Sequence, residues 1–260
     1  MLRREHVVLA VAATAGAALA GPVSAPTAVA RPAVLTKAYG EAPGTARNVA
    51  VIVPGADTTA RTFDGGRRAV YSTPGGAARA LLAEARTLAP EGGLAAIAWL
   101  GYASPRTVSL DVLTDTAAKA GVAALRRTVG EVRAANPAAR IVLLCHSYGS
   151  VLCAKAVPGL GVSDLVVYGS PGLGADSAAD LALGGTRLWA GLGGADWMRN
   201  VPKCRLGPLG FGPDPAAPGF GATVFATGRA THSEYFKPGG VSLRNLTLIA
   251  LGRTGEVTHA

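Results

Sequence analysis

Histidine is scarce in this chain, with four in 260 residues, at positions 6, 146, 232 and 259. Chemistry that needs an imidazole near neutral pH therefore has few candidates. Cysteine is scarcer still: only Cys145, Cys153 and Cys204 are present. No two cysteines have finger-type spacing and no histidine is placed to complete a ligand set, so neither a metal site nor any other cofactor is expected. An odd thiol count in an exported chain fits one disulfide and one free thiol, with the pairing left open. Aromatic residues make up 5% of the chain and do not alternate with basic runs, which argues against a nucleic-acid partner. No apolar run after the first twenty residues is long enough to cross a membrane, so no transmembrane anchor is expected.

Alanine and glycine are abundant, and Arg far outnumbers Lys. This is a coding bias that lowers the weight of any one Gly-rich motif. The formal net charge is +9, but residues such as Arg61, Arg67, Arg68, Arg126, Arg127 and Arg133 are scattered in ones and twos. Such a surface favours anionic partners in general without specifying one.

The first thirty residues read as an export signal. Arg3 and Arg4 open it, Val7 to Ala20 is uncharged and apolar, and small residues follow. Ala28-Val29-Ala30 before Arg31 is a better cleavage site than Val23-Ser24-Ala25, because Pro26 would block cutting after Ala25. A secreted chain starting near Arg31 is the expectation. Residues 31–47 read as an extended lead-in, and residues 48–260 as one domain large enough to bury a core.

Within that domain, short apolar runs alternate with helical patterns. Asn48 to Val53, Leu94 to Leu100, Ile141 to Leu144, Asp164 to Tyr168, Arg187 to Leu192 and Ala222 to Ala226 read as strands. Ala77 to Leu88, Asp115 to Ala135, Ser150 to Val157 and Val241 to Leu251 read as helices. Buried strands alternating with helices imply parallel pairing, hence a three-layer α/β/α sandwich on a reduced, mainly parallel sheet of about six strands. Ligands in such sheets bind beyond the carboxyl ends of the strands. The Pro- and Gly-rich stretch from Cys204 to Gly221 is expected to wall or cap that region.

Strand 141–144 runs directly into Cys145-His146-Ser147-Tyr148-Gly149-Ser150. A serine projecting from a sharp strand-to-helix turn can meet a substrate carbonyl, and that turn tolerates only small residues two positions before and after. Gly149 meets the second requirement. Cys145 stands where the G-x-S-x-G pattern has glycine, and it reads as a small, buried apolar residue rather than a competing nucleophile.

The base should be a late histidine. His6 leaves with the signal, His146 is turned away from its neighbour Ser147 and packs or lines the pocket, and His259 sits at a frayed end. His232 remains. An orienting acid should lie at a strand end between serine and histidine in chain order. Asp164 begins its strand and Asp176 and Asp180 fall on a helix-like stretch, whereas Asp196 directly follows the 187–192 strand. Asp196 is thus first choice and Asp214 second. Two backbone N–H groups should receive an oxyanion: that of Tyr148, and one from Pro54-Gly55-Ala56-Asp57, with Ala56 first and Asp57 next.

The runs Cys145-His146-Ser147-Tyr148-Gly149-Ser150, Tyr168-Gly169-Ser170-Pro171-Gly172, Ala195-Asp196-Trp197, Phe220-Gly221-Ala222 and His232-Ser233-Glu234-Tyr235-Phe236 together resemble a bacterial family of secreted α/β hydrolases. The resemblance covers about Asn48 to Gly252 and implies an α/β-hydrolase fold with Ser147, Asp196 and His232 as its triad. It departs from the family at Cys145, in place of glycine, and at Phe211, in place of histidine. The short lead-in also resembles that of small secreted esterases of the cutinase type. The expected reaction is cleavage of an ester or thioester through an acyl-serine, on a small-molecule or lipid-like acyl substrate, by a monomer. A serine peptidase or acyltransferase with the same triad, or a non-catalytic binding module on this scaffold, are the alternatives.

Overall fold

The computed structural model describes residues 34–260. The expected export segment and its cleavage site lie outside these residues.

Seven strands make the main sheet: β1 (Leu35–Gly40), β2 (Asn48–Val53), β3 (Leu94–Leu100), β4 (Arg140–His146), β5 (Asp164–Tyr168), β6 (Arg187–Gly191) and β9 (Thr223–Val224). Their spatial order is β1-β3-β2-β4-β5-β6-β9. A two-stranded ribbon, β7 (Arg205–Leu206) and β8 (Leu209–Gly210), stands apart from the sheet. All pairings in the main sheet are parallel except β1 with β3, which is antiparallel.

The sequence pattern counts one strand fewer, because β1 falls in the segment read as lead-in. Leu-Thr-Lys-Ala-Tyr-Gly carries no apolar alternation, as suits an edge strand exposed along nearly its whole length. A lysine on that edge, Lys37, discourages pairing with another chain. The last strand is also shorter than its apolar run suggested, with only Thr223 and Val224 in register beside Trp189 and Ala190.

Helices α1 (Pro74–Leu88), α2 (Thr116–Ala135), α3 (Tyr148–Ala156) and α4 (Val241–Ala250) cover the sheet. The period of two along each strand sorts side chains between the faces. Ile141, Leu143 and Cys145 of β4 share one core cluster with α2 and α3, whereas Val142 and Leu144 share the other with α1 and α4. The result is the expected three-layer sandwich. Helix α1 begins with Thr73 accepting from the Gly76 N–H and with Pro74 at its first position, both standard start signals.

Asp164, at the amino end of β5, is fully buried. Its carboxylate accepts from Arg187 Nε at 2.8 Å, from Trp189 Nε1 at 2.8 Å and from Arg140. This cluster ties together the starts of β4, β5 and β6 at the end of the sheet opposite Ser147, which makes Asp164 a fastening residue. We expect Asp164→Ala to lower unfolding free energy by roughly 3 kcal/mol by leaving Arg140 and the Trp189 N–H without their acceptor. Urea denaturation measures it, and a loss below about 1 kcal/mol would show the cluster to be dispensable.

Candidate active site

Ser147 sits between β4 and α3 with φ 50° and ψ −127°, a region a side chain rarely adopts. Strain of this kind costs roughly 1–3 kcal/mol and persists only where the surroundings enforce it. Here the surroundings are close-packed backbone. A Cβ on Gly149 would lie 2.4 Å from the Pro54 carbonyl oxygen, and one on Gly55 would lie 2.6 Å from Ser147 Cβ. The small-residue requirement after the serine is thus set by the loop following β2.

On the other side of the turn, Cys145 is buried as expected but is not a free thiol: it is bridged to Cys153, the sixth residue of α3, leaving Cys204 free. The disulfide brackets the turn and lies in the core between the sheet and α2–α3. Ser150 adds a further tie. Its hydroxyl is 2.6 Å from the Ser147 carbonyl oxygen and 2.6 Å from Ser170 Oγ, which joins the turn to the loop after β5.

The loops after β4, β6 and β9 bring the three expected residues together. His232 Nε2 is 3.0 Å from Ser147 Oγ, and His232 Nδ1 is 2.9 and 3.0 Å from the two oxygens of Asp196. With its proton on Nδ1, the neutral ring donates to Asp196 and leaves Nε2 to accept from the serine hydroxyl. The alternative acids are elsewhere. Asp214 accepts from the Ala216 N–H and faces Lys203 at 3.7 Å, and Asp176 pairs with Arg205 at 3.0 Å. Asp180 caps the short turn starting at Ser177.

Asp196 is buried and accepts from three groups: His232, the Met198 N–H at 2.8 Å, and Tyr235 OH at 2.5 Å on Oδ2 complete the set around its two oxygens. Burial pushes its pKa upward, but the hydrogen bonds from His232, Tyr235 and Met198 and the charge of His232 outweigh this and hold it below the usual carboxylate range. Tyr235 itself accepts from the Gly193 N–H at 3.0 Å, locking the loop that carries Asp196. Motif reading missed this tyrosine. Its signal was the spacing of His232 and Tyr235 on one short turn, which means nothing until Asp196 is known to face both. Gly169, at φ 56°, leaves space for the pair: a Cβ there would be 2.9 Å from Asp196 Oδ2.

His146 packs as expected, its ring 4.6 Å from that of His232 and 5.3 Å from that of Tyr168, with Nε2 buried and unpartnered. Burial, reinforced by the nearby His232, pushes its imidazolium down to about 3. A neutral ring at this position does not oppose positive charge on His232.

The backbone N–H groups of Ala56 and Tyr148 have no acceptor among the described residues. Asp57, the second choice for the oxyanion donor, spends its N–H on the Pro105 carbonyl at 2.9 Å. Tyr102 OH and Ser104 Oγ donate to the Pro54 and Gly55 carbonyls, each at 2.8 Å, holding this loop in place.

Two cavities meet at Ser147, Ala56, Thr107 and Trp197. The first, of about 340 Å³, is mixed in character and includes Arg67, Tyr71, Ser72 and the His232 side of the site. The second, of about 230 Å³, is largely apolar and is walled by Val112, Leu113, Met198, Val201 and Phe211. The stretch after Cys204 therefore does wall the site. Phe211, at the position that departs from the family pattern, packs edge-on to Tyr148 at 5.8 Å.

A parallel sheet with a strained serine turn at the end of a central strand defines the class, and comparison with known proteins gives the family. The family model described as Alpha/beta hydrolase matches residues 29–206, and the chain belongs to that family. The match ends before His232. The chain is 31% identical over 245 residues to the uncharacterized protein Rv2079 of Mycobacterium tuberculosis, covering 81% of this chain and 36% of that protein. It is 33% identical over 124 residues to the uncharacterized protein Mb0988c of Mycobacterium bovis, covering 46% of each. It thus spans 36% and 46% of the length of these two relatives. Among solved structures, that of esterase PE8 superposes with a TM-score of 0.53 at 14% identity, covering 84% of this chain and 98% of that one, a likeness of fold.

The His146 environment makes stability depend on pH. An unfolded histidine binds its proton near 6.5, the native one only near 3, so the unfolded chain holds more protons between these values. This contribution to stability is complete above the unfolded value and falls, at about 1.4 kcal/mol per pH unit, as pH drops toward the native one. In His146→Phe that component disappears. Urea midpoints at neutral pH and at about pH 4.5 should converge relative to wild type; an unchanged difference would assign the acid sensitivity to other groups.

Proposed function

We propose that the protein is a secreted serine hydrolase that cleaves an ester or thioester through an acyl-serine intermediate. The observation that carries the reading is the continuous hydrogen-bonded chain Asp196–His232–Ser147 beside two backbone N–H groups that have no acceptor among the described residues. His232 Nε2 takes the Ser147 proton as Oγ bonds to the substrate carbonyl carbon. The carbonyl oxygen becomes an oxyanion held by the Tyr148 and Ala56 N–H groups, with the amino end of α3 adding a favourable field. Collapse breaks the carbon–oxygen or carbon–sulfur bond, and the His232 proton passes to the departing alcohol or thiol. Water, deprotonated by the same nitrogen, then releases the acid and restores Ser147.

Throughout, Asp196 holds the imidazole in one tautomer and balances its positive charge, and Tyr235 positions Asp196. The apolar cavity accepts the acyl chain, and the mixed cavity on the His232 side accepts the leaving group. Export through the N-terminal segment is part of the same reading; the amino terminus of protein recovered from culture medium should be Arg31.

A fluorophosphonate probe should label Ser147 in the folded protein and fail to label Ser147→Ala. Absence of labelling, with a control hydrolase labelled alongside, would favour a binding module on this scaffold. With p-nitrophenyl esters, Asp196→Asn should lower kcat by about 10³–10⁴. Tyr235→Phe should lower kcat by about tenfold with little change in KM and move the acidic limb of the pH–rate profile, because an orienting hydrogen bond is lost rather than a substrate contact.

A further inference from the structure

Exposed apolar side chains are concentrated at the mouth of the apolar cavity. Of the ten large apolar residues most open to solvent, Val108, Leu110, Leu113, Trp197, Leu206 and Leu209 belong to two segments, 107–113 and 197–211. Both segments line the apolar cavity, through Val112 and Leu113 on one side and Trp197, Val201 and Phe211 on the other. Val108, Leu110 and Leu206 do not line it. They are 84%, 80% and 79% exposed, so they project outward and gain nothing from the fold. A soluble surface rarely gathers its most exposed apolar residues around one opening unless something covers them.

Charge identifies the cover. The segments 57–72, 104–113 and 197–211, which frame both cavities, contain seven basic residues against three acidic ones. Lys203 and Arg205 have acidic partners in Asp214 and Asp176, and Asp64 is taken up by Lys37 and Arg79. Arg61, Arg67, Arg68, Arg106 and Arg199 have no carboxylate partner among the described residues. Apolar side chains on protruding turns with unpaired arginines beside them match the interface of an anionic lipid layer, where the apolar groups enter the acyl boundary and the cations meet the headgroups. A second copy of this chain would bring the same arginines face to face across a symmetric contact.

We propose that the 107–113 and 197–211 segments dock the protein on an anionic lipid surface, so that an acyl chain passes from the lipid layer into the apolar cavity beside Ser147. The docking face stands on its own, whereas the acyl transfer into the cavity rests on the hydrolase reading above.

Full-length mature Ser147→Ala, which binds without turnover, is mixed with vesicles of phosphatidylcholine alone and of equal parts phosphatidylcholine and phosphatidylglycerol, and sedimented. It should sediment with the anionic vesicles and much less with the neutral ones. Replacing Val108, Leu110 and Leu206 together with Asp should weaken this binding at least about tenfold, and Arg106→Glu with Arg199→Glu should do so by a similar factor. In the Ser147 background of wild type, both multiple variants should hydrolyse p-nitrophenyl acetate as before, which also reports that they fold. Failure to bind either vesicle, binding unaffected by the substitutions, or equal binding to both vesicles would overturn the proposal. So would a stable dimer in sedimentation velocity that the Asp variant dissociates, since the face would then be a contact between copies. Vesicle binding without fluorophosphonate labelling of wild-type Ser147 would defeat the hydrolase reading and leave the docking face standing.

Discussion

The left-handed backbone of Ser147 is an unfavourable conformation that the rest of the chain holds in place. Several unrelated contacts converge on it. The loop after β2 passes so close that Gly55 and Gly149 have no room for a Cβ, Ser150 bonds back to the Ser147 carbonyl, and the Cys145–Cys153 bridge fastens the strand before the turn to the helix after it. The turn is therefore held by covalent, steric and polar restraints at once, so its geometry does not rest on any one of them. The same close approach leaves the Ala56 and Tyr148 N–H groups without acceptors among the described residues, at the proposed oxyanion position. One steric constraint thus both exposes the hydroxyl and forms the pocket for the charge the proposed reaction would develop.

Charge around the site is arranged in opposition. Asp196 is kept ionised in a buried position by three donors, which prepares a negative partner for an imidazolium on His232. His146, its ring 4.6 Å from that of His232, is kept neutral by burial. A cation there would cost the proposed base its protonated form, so the packing of His146 against Tyr168 and His232 matters through the charge it prevents. At the far end of the sheet, Asp164 fastens three strand starts by the same means of multiple donors, and neither of the two cavities at Ser147 is lined by it. Position along the strand separates a fastening carboxylate from one that faces the serine turn.

Much of this architecture was legible in the chain because its information is local. Periods of two and of three to four residues located the buried strands and all four helices, and the scarcity of histidine left His232 as the remaining candidate to face Ser147. What was missed was weakly patterned or relational. β1 has no apolar alternation because an edge strand needs none. The cysteine pairing depends on α3 folding back over β4, and Tyr235 acquires a role only through Asp196, thirty-nine residues earlier. The choice between Ala56 and Asp57 turned on a bond to Pro105 from a different loop.

The sequence by itself determined the layer architecture, the serine turn and the order in which an acid and a histidine follow it, since these depend on periodicity, residue size and elimination among few candidates. The tertiary structure alone decided which groups lie within hydrogen-bond reach, which carboxylate is buried among donors, and which apolar residues end up outside the core around one opening. Those properties belong to loops, whose neighbours are set by where the strands end in space and not by which residues adjoin them in the chain.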